Sequence, residues 1–379
     1  MEKPMKILYT ATVLSHICQF HLPYLQALQE RGVEVHVAAR NNLGEKNGLR
    51  LQYTDQYFDI PFQRSPKDTR NLKAYLSLKK LLTKEHYDVI VCNTPMGGII
   101  TRLAAQKTRK QGTKVIYIAH GFHFYQGAPK KNWLVFYPIE KYMARDCDVL
   151  ITVNEADYAL ARKKFHTRVE HIHGVGVRAD RYHPAREEAC REMRRAEGLA
   201  DEDFVILCTG ELNRNKDQKT LIAAAAQLKD RIPNLKVLLA GNGPLEQELR
   251  TQIQTERLEN CVKMLGYRTD LEQVVPAVDL VVSCSHREGM PLNIIEAMLC
   301  EKPVVASVNR GHNELVAHAV TGYLVQPSDV NGFAQSVLEL YSDAEKRARM
   351  GRAGYDKATP YTVTMVKQEL LPILVDRQG

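Results

Sequence analysis

Short apolar runs alternate with amphipathic stretches along the chain. In the first half the runs lie at 6–11 (KILYTA), 34–39 (EVHVAA), 88–93 (DVIVCN), 114–119 (KVIYIA), 148–153 (DVLITV) and 169–173. They are apolar and rich in β-branched residues, with little polar alternation. A strand with one wet face alternates apolar and polar residues; a strand covered on both faces does not. Helical patterns at 22–31 and 71–85 intervene. Strand–helix repeats of this kind build a parallel sheet with helices on both faces.

The second half repeats the scheme. Strand-like runs lie at 204–209, 236–240, 262–265, 279–283, 303–306 and 322–325, with helical patterns at 219–230, 244–257, 292–299 and 331–341. Between the halves, residues 173–184 (HGVGVRADRYHP) are rich in turn formers and lead into a charged helix at 185–197. They read as a linker. The expected fold class is therefore α/β, with two doubly wound Rossmann-like domains facing a central cleft. The first domain covers 1–178 and the second 179–358. The remainder, 359–379, carries an amphipathic helix at 365–375 expected to pack back on the first domain. Ligands of such sheets bind outside the C-terminal strand ends.

Composition narrows the class. Of 379 residues, 44% are hydrophobic and 25% charged, as in globular proteins and unlike disordered ones. No apolar run approaches the ~18 residues of a membrane span, and the N-terminal MEKPMK lacks a signal-peptide apolar region. The eight cysteines (Cys18, Cys92, Cys147, Cys190, Cys208, Cys261, Cys284, Cys300) form no CxxC. They read as buried free thiols in a reducing cytoplasm. Charge is uneven: residues 1–178 carry 27 Lys and Arg against 15 Asp and Glu, whereas 179–379 carry 25 against 29. A basic half suggests nucleic acid, an anionic membrane or an acidic substrate.

The most informative stretch is 279–298, DLVVSCSHREGMPLNIIEAM. A buried strand ends at 283–285, a polar loop follows, and Pro291 suits the first turn of the next helix. Free N–H groups near Met290, Leu292 and Asn293 make that helix tip an anion site fit for a diphosphate. Glu288 in the loop can accept from sugar hydroxyls, and Glu296 inside the helix from ribose hydroxyls. A second element, 209–217 (TGELNRNKD), follows the first strand of the same domain. Its Arg214 and Lys216 can neutralise a diphosphate. In the first domain His120 lies at the end of the KVIYIA strand, and His16 and His21 follow the first strand, where they can line the acceptor side of the cleft.

Together these elements resemble glycosyltransferase family 4, the retaining nucleotide-sugar transferases of GT-B fold. The similarity runs over essentially the whole chain and is nearest to the bacterial capsule and exopolysaccharide branch, through ATVLSHICQFHLPYLQALQERGVEVHVAA, HGFHFY, YPIEKYMARDCDVLITVN, GELNRNKDQ and GNGPLEQEL. The resemblance implies roles. Glu288 would contact the donor sugar, Gly289, Met290, Pro291, Leu292 and Asn293 would offer backbone groups, and Glu296 would bind the ribose. Lys216, helped by Arg214, would hold the diphosphate, and His120 would bond the sugar near the reacting centre. Backbone at Gly266, Tyr267 and Arg268 would meet the uracil. A UDP-sugar donor, a lipid-linked or other glycan acceptor, front-face attack and no metal or other cofactor follow from the same resemblance. Two positions depart from the family pattern. Glu211 stands where G-R-L-x-x-x-K has arginine, so the guanidinium would come from Arg214. The sequence 12–15 (TVLS) replaces the usual Gly-Gly.

Other motifs carry less. Asp146–Asp148 and Asp201–Asp203 both read D-x-D but precede strands, at the edge away from the cleft. Gly241-Asn242-Gly243 lacks the third glycine of a dinucleotide fingerprint. The basic half has no interleaved stacking aromatics, which argues against nucleic acid. Arg102, Lys107, Arg109, Lys110 and Lys114, with Lys130-Lys131 ahead of Trp133, Phe136 and Tyr137, instead suggest docking on the inner face of the cell membrane. The rival functions are a GT-B-fold epimerase or phosphorylase, and a non-catalytic subunit of a transferase complex.

Overall fold

A computed structural model describes residues 4–45 and 48–376. The chain divides into two compact units, one of Met1–Gly176 with Val363–Gly379, the other of Val177–Thr362. In the first unit the strands are β1 (Lys6–Val13), β2 (Glu34–Arg40), β3 (Gln56–Asp59), β4 (Val89–Asn93), β5 (Lys114–Ala119), β6 (Val149–Thr152) and β7 (Arg168–His171). They form one sheet in the order β3-β2-β1-β4-β5-β6-β7, and its paired strands run parallel. All eight residues of β1 are buried, which is why no alternation shows there. The chain winds outward from β1 to β3, then returns to β4 on the other side of β1. That reversal leaves a crevice at the C-terminal ends of β1 and β4.

The second unit repeats the plan with β8 (Phe204–Thr209), β9 (Leu235–Ala240), β10 (Val262–Gly266), β11 (Leu280–Ser283), β12 (Val304–Ser307) and β13 (Gly322–Val325). The order is β10-β9-β8-β11-β12-β13, so the reversal falls between β8 and β11. These are the strands that feed the two polar loops singled out in the sequence.

The strand-entry carboxylates are structural. Asp88, Asp148 and Asp279 accept the main-chain N–H of Lys6, Val115 and Val205 at 2.7, 2.7 and 2.8 Å, tying neighbouring strands in register. Asp148 also takes Arg109, and Asp203 takes the N–H of Ala200. Both D-x-D pairs are thus occupied at strand entries. Strand β3 was not expected: its QYFD sequence is polar at both ends, it sits at the sheet edge and it pairs with β2 alone. The cysteines are free. Six are buried, but Cys190 and Cys261 are only half-buried.

The helix Val363–Val375 belongs to the first unit. Lys114 Nζ donates to the carbonyls of Ile373 and Asp376, and His173 bonds Glu369 through both its N–H and its ring. Residues 377–379 of the expected C-terminal segment, like Met1–Lys3, lie outside the described residues.

Candidate active site

In the second unit, two loops meet at the β8/β11 reversal. After β8 the chain turns at Gly210, whose φ is +142°, and residues 211–217 fold over it. Asn213 Oδ1 accepts the N–H groups of Asn215 and Lys216, which locks this turn. After β11 the loop 284–291 runs alongside: the N–H of His286 donates to Asn215 O at 2.8 Å, and Asn215 Nδ2 donates to Arg287 O at 3.1 Å. The result brings Lys216 Nζ to 2.7 Å from Glu288 Oε1, both partly buried. The ammonium is held in place by a carboxylate, beside the tip of the next helix.

That helix is Leu292–Leu299. Pro291 caps it from an extended conformation, and no side chain bonds its first turn. Proline therefore sits at the cap, one position ahead of the first turn that the sequence suggests for it. The N–H groups of Leu292 and Asn293 belong to the first turn, which an α-helix cannot satisfy internally. Glu296 lies one turn further along. Burial pushes its carboxyl up to about 7, against a hydrogen bond from Tyr182 and the nearby charge of Arg181, which favour the anion. Its neighbours therefore compensate its charge only in part.

The site is propped from below by residues that sequence reasoning missed. His312, fully buried, sits with Nδ1 at 2.6 Å from Ser307 O and Nε2 at 3.2 Å from Ser283 Oγ. The carbonyl can only accept, so Nδ1 carries the proton. Burial lowers this imidazole to about 4, and it stays neutral. Asn309 Nδ2 donates to Ser285 O at 2.8 Å, and Arg310 Nε to Glu288 O at 3.3 Å. A side chain at Gly311 would lie 3.0 Å from Glu288 Cβ and from Gly289 O. Gly241 and Gly243 belong to the same packing: a Cβ on either would meet the backbone of Gly210 or Leu212 at 1.9–2.3 Å. The GNG motif thus serves close approach to the 210–212 turn.

In the first unit, His16 on the helix Leu14–Phe20, His21 at the junction with the helix Leu22–Gln29, and His120 just past β5 converge. His16 Nε2 lies 3.2 Å from His120 Nε2 and 3.4 Å from His21 Nε2. His120 Nε2 also lies 3.0 Å from Asn93 Oδ1. The Asn93 amide nitrogen donates to Thr10 O, so Oδ1 accepts and His120 Nε2 carries the proton. Burial lowers all three imidazoles, His120 to about 4 and the others well below their usual range; mutual repulsion adds to the effect at His16 and His21. At neutral pH the cluster is uncharged. It adjoins a cavity of about 620 Å³ lined by His16, Arg64, Glu140 and a majority of apolar side chains.

The structure thus joins Lys216 with Glu288, seats Gly289–Asn293 at one helix tip with Glu296 behind them, and clusters His16, His21 and His120. Two named side chains make no contact with these groups among the described residues. Arg214 is exposed and makes no bond or ion pair among those described. Tyr267 is 60% exposed, just past β10.

Comparison with known proteins bears on this arrangement. A family model for glycosyl transferases group 1 matches residues 190–357, and one described as glycosyl transferase 4-like matches 6–154. The Bacillus subtilis (strain 168) protein EpsD, assigned to the glycosyltransferases, is 39% identical over 370 residues, covering 97% of this chain and 96% of its own. The chain belongs to the GT-B glycosyltransferases of the family 4 type. An Escherichia coli transferase described as UDP-Gal:alpha-D-GlcNAc-diphosphoundecaprenol alpha-1,3-galactosyltransferase is 29% identical over 313 residues, 80% of each chain. Among solved structures, Anabaena HepE in complex with UDP and glucose matches with a TM-score of 0.78 at 25% identity, over 98% of this chain and 99% of that one.

One expectation for this glycosyltransferase needs correction. The basic patch drawn from Arg102 to Lys114 is largely not a free surface. Arg102 is fully buried against Glu140 and the Tyr117 ring, Arg109 pairs with Asp148, and Lys114 holds the C-terminal helix. The basic residues of the helix Pro95–Arg109 and of β5 point several ways at once, and the inward ones found partners. Trp133 and Tyr137 also turn inward, onto Phe124. The helix Lys130–Met143 instead exposes Leu134 (78%) and Tyr142, together with Val135, Phe136 and Ile139 at the rim of the cavity.

Proposed function

We propose that this glycosyltransferase moves a sugar from a UDP-sugar to a lipid-linked glycan acceptor during capsule or exopolysaccharide synthesis, with retention and without a metal. The observation that carries the reading is the uncapped helix tip at Leu292 beside the Lys216–Glu288 pair, with the under-compensated carboxyl of Glu296 one turn behind. A nucleoside diphosphate supplies what each lacks. Its phosphates take the helix N–H groups and the Lys216 ammonium, and its ribose hydroxyls donate to Glu296.

Breaking the glycosyl phosphate bond builds positive charge on the anomeric carbon and negative charge on the leaving oxygen. Lys216 and the helix dipole stabilise the second. The acceptor hydroxyl attacks the face that the diphosphate leaves: the new carbon–oxygen bond forms as the old one breaks, and the acceptor proton passes to the departing phosphate oxygen. No protein nucleophile is required. His120, neutral and with its proton on Nε2, turns that N–H from Asn93 Oδ1 to a sugar oxygen when the donor binds, and Glu288 accepts from a sugar hydroxyl while holding Lys216. The turn at 210–216 keeps the lysine of the family pattern but not its arginine, and Arg214, which is exposed, swings in from solvent to supply the guanidinium.

The E. coli relative's acceptor is lipid-linked by its own description, and EpsD spans the whole chain. No helix among the described residues is long and apolar enough to cross a membrane. Access to a lipid then falls to the exposed apolar face of Lys130–Met143, flanked by Lys130, Lys131 and Lys141. Such a helix suits peripheral attachment to an anionic inner leaflet. The test is thermal stabilisation and slow hydrolysis across a panel of UDP-sugars. Saturable stabilisation by UDP that Lys216→Ala and Glu296→Gln both weaken is expected; a response to no uridine nucleotide contradicts the reading.

A further inference from the structure

We propose that His16, His21 and His120 form a site for a zinc-like divalent cation, and that filling it blocks sugar transfer. The site lies wholly in the first unit; its inhibitory role rests on the function proposed above, whereas its existence does not.

The geometry points there first. A tetrahedral metal with nitrogen ligands at about 2.0–2.1 Å sets those nitrogens about 3.3–3.4 Å apart. The His16 nitrogen lies 3.2 Å from that of His120 and 3.4 Å from that of His21, and all three ligand atoms fall within 4.8 Å of one another. The His120 ring stands nearly perpendicular to the other two, at 86° and 81°, so the three edges converge instead of stacking. Asn93 Oδ1, 3.0 Å from the His120 nitrogen, offers an oxygen as a fourth donor.

The scaffold is rigid. His16 comes from the helix Leu14–Phe20, which packs on β1, His21 from the junction with the next helix, and His120 from just past the end of β5. Without a cation, three ring nitrogens face one another and share few protons. His120 gives its proton to Asn93, and His16 must serve both neighbours. A cation replaces those contacts with three lone-pair bonds. Imidazole ligands favour zinc, cobalt, nickel or copper over magnesium or calcium.

One feature weakens the site and makes it exchangeable. His21 Nδ1 is buried without a partner. Binding through Nε2 moves the proton to Nδ1, where metal-bound histidines normally find an acceptor; losing such a partner costs about 10–100-fold in affinity. The ion is therefore a reversible occupant and not a structural one. Inhibition follows from charge. The cation takes the His120 nitrogen away from the sugar and sets a dication where the transition state already builds positive charge.

The experiment uses the full chain stripped with chelator and titrated with Co²⁺, then Zn²⁺. One equivalent of Co²⁺ should give the intense visible bands of a four-coordinate nitrogen site, displaced by Zn²⁺ and untouched by Mg²⁺. His16→Asn, His21→Asn and His120→Asn should each remove the bands while circular dichroism shows a folded protein; His166→Ala, at an exposed histidine, should keep them. Zn²⁺ should then suppress hydrolysis of the UDP-sugar, and chelator should restore it. Absence of saturable Co²⁺ uptake, or uptake indifferent to the three substitutions, overturns the site. Specific uptake with undiminished turnover overturns the inhibitory role alone. UDP stabilisation of the metal-free protein tests the transferase reading separately.

Discussion

Glu296→Gln separates two consequences of one largely desolvated carboxyl. Its titration at about 7 instead of 4.5 means that folding disfavours the anion by about 3 kcal/mol. The raised value fixes the sign: between 4.5 and 7 the folded state holds the proton that the unfolded state gives up, so stability falls as pH rises through that window and the full cost is present above it. Glutamine has the shape without the charge. The variant should match the wild type near pH 4.5 and exceed it at pH 8 by about 3 kcal/mol, or about 6–12 °C in melting temperature for a domain of this size. Nucleotide binding should move the other way. Ribose hydroxyls donate to the anion, so the wild type must lose a proton to bind, and its affinity should rise with pH. Calorimetry with UDP across pH 5.5–8 checks this, read as the ratio of wild type to variant so that the nucleotide's own phosphate titration cancels. The ratio should favour the wild type by about 30-fold more at pH 8 than at 5.5 and level off above 7. A ratio flat with pH refutes the contact with ribose; a variant no more stable at pH 8 refutes the charge burial.

Three further outcomes follow from the geometry. Gly210→Ala forces a side chain to within 3.0–3.5 Å of the Lys216 ammonium arm at a φ of +142°, so turnover should fall at least tenfold while the melting temperature shows whether the fold survives. Glu140→Ala leaves the buried Arg102 guanidinium without its carboxylate, and denaturant unfolding should show a loss of about 3–5 kcal/mol. Asp at Leu134 and Ile139 together should abolish co-sedimentation with anionic vesicles at low salt while UDP stabilisation is unchanged; binding that persists contradicts the membrane role of that helix face.

Much of the architecture was legible because burial on both faces writes itself as unbroken apolar runs. Strand β1 is such a run and was plain. Strand β3 was not, since an edge strand of QYFD carries no such signal. The loops after β8 and β11 were found through glycine, proline and charge at set positions in a strand–loop–helix frame. What supports them was not legible. His312 looked like any other histidine until Ser283 and Ser307 closed around it. The glycines at 241 and 243 read as half a nucleotide motif, although their use is steric. The convergence of His16, His21 and His120 depends on a contact across 104 residues, which no local pattern encodes. Nor did charge counting reveal that Arg102, Arg109 and Lys114 are already partnered; a sequence records the cation and not the direction in which its side chain leaves the backbone.

The central claim is that a departing diphosphate is received by the tip of the helix Leu292–Leu299 and by Lys216. A crystal structure with UDP tests it most directly. It should place phosphate oxygens about 2.7–3.2 Å from Lys216 Nζ and from the N–H groups of Leu292 or Asn293, with the ribose hydroxyls on Glu296. A nucleotide bound elsewhere on the chain, with Lys216 still closed on Glu288 and no ligand at the helix tip, would contradict it.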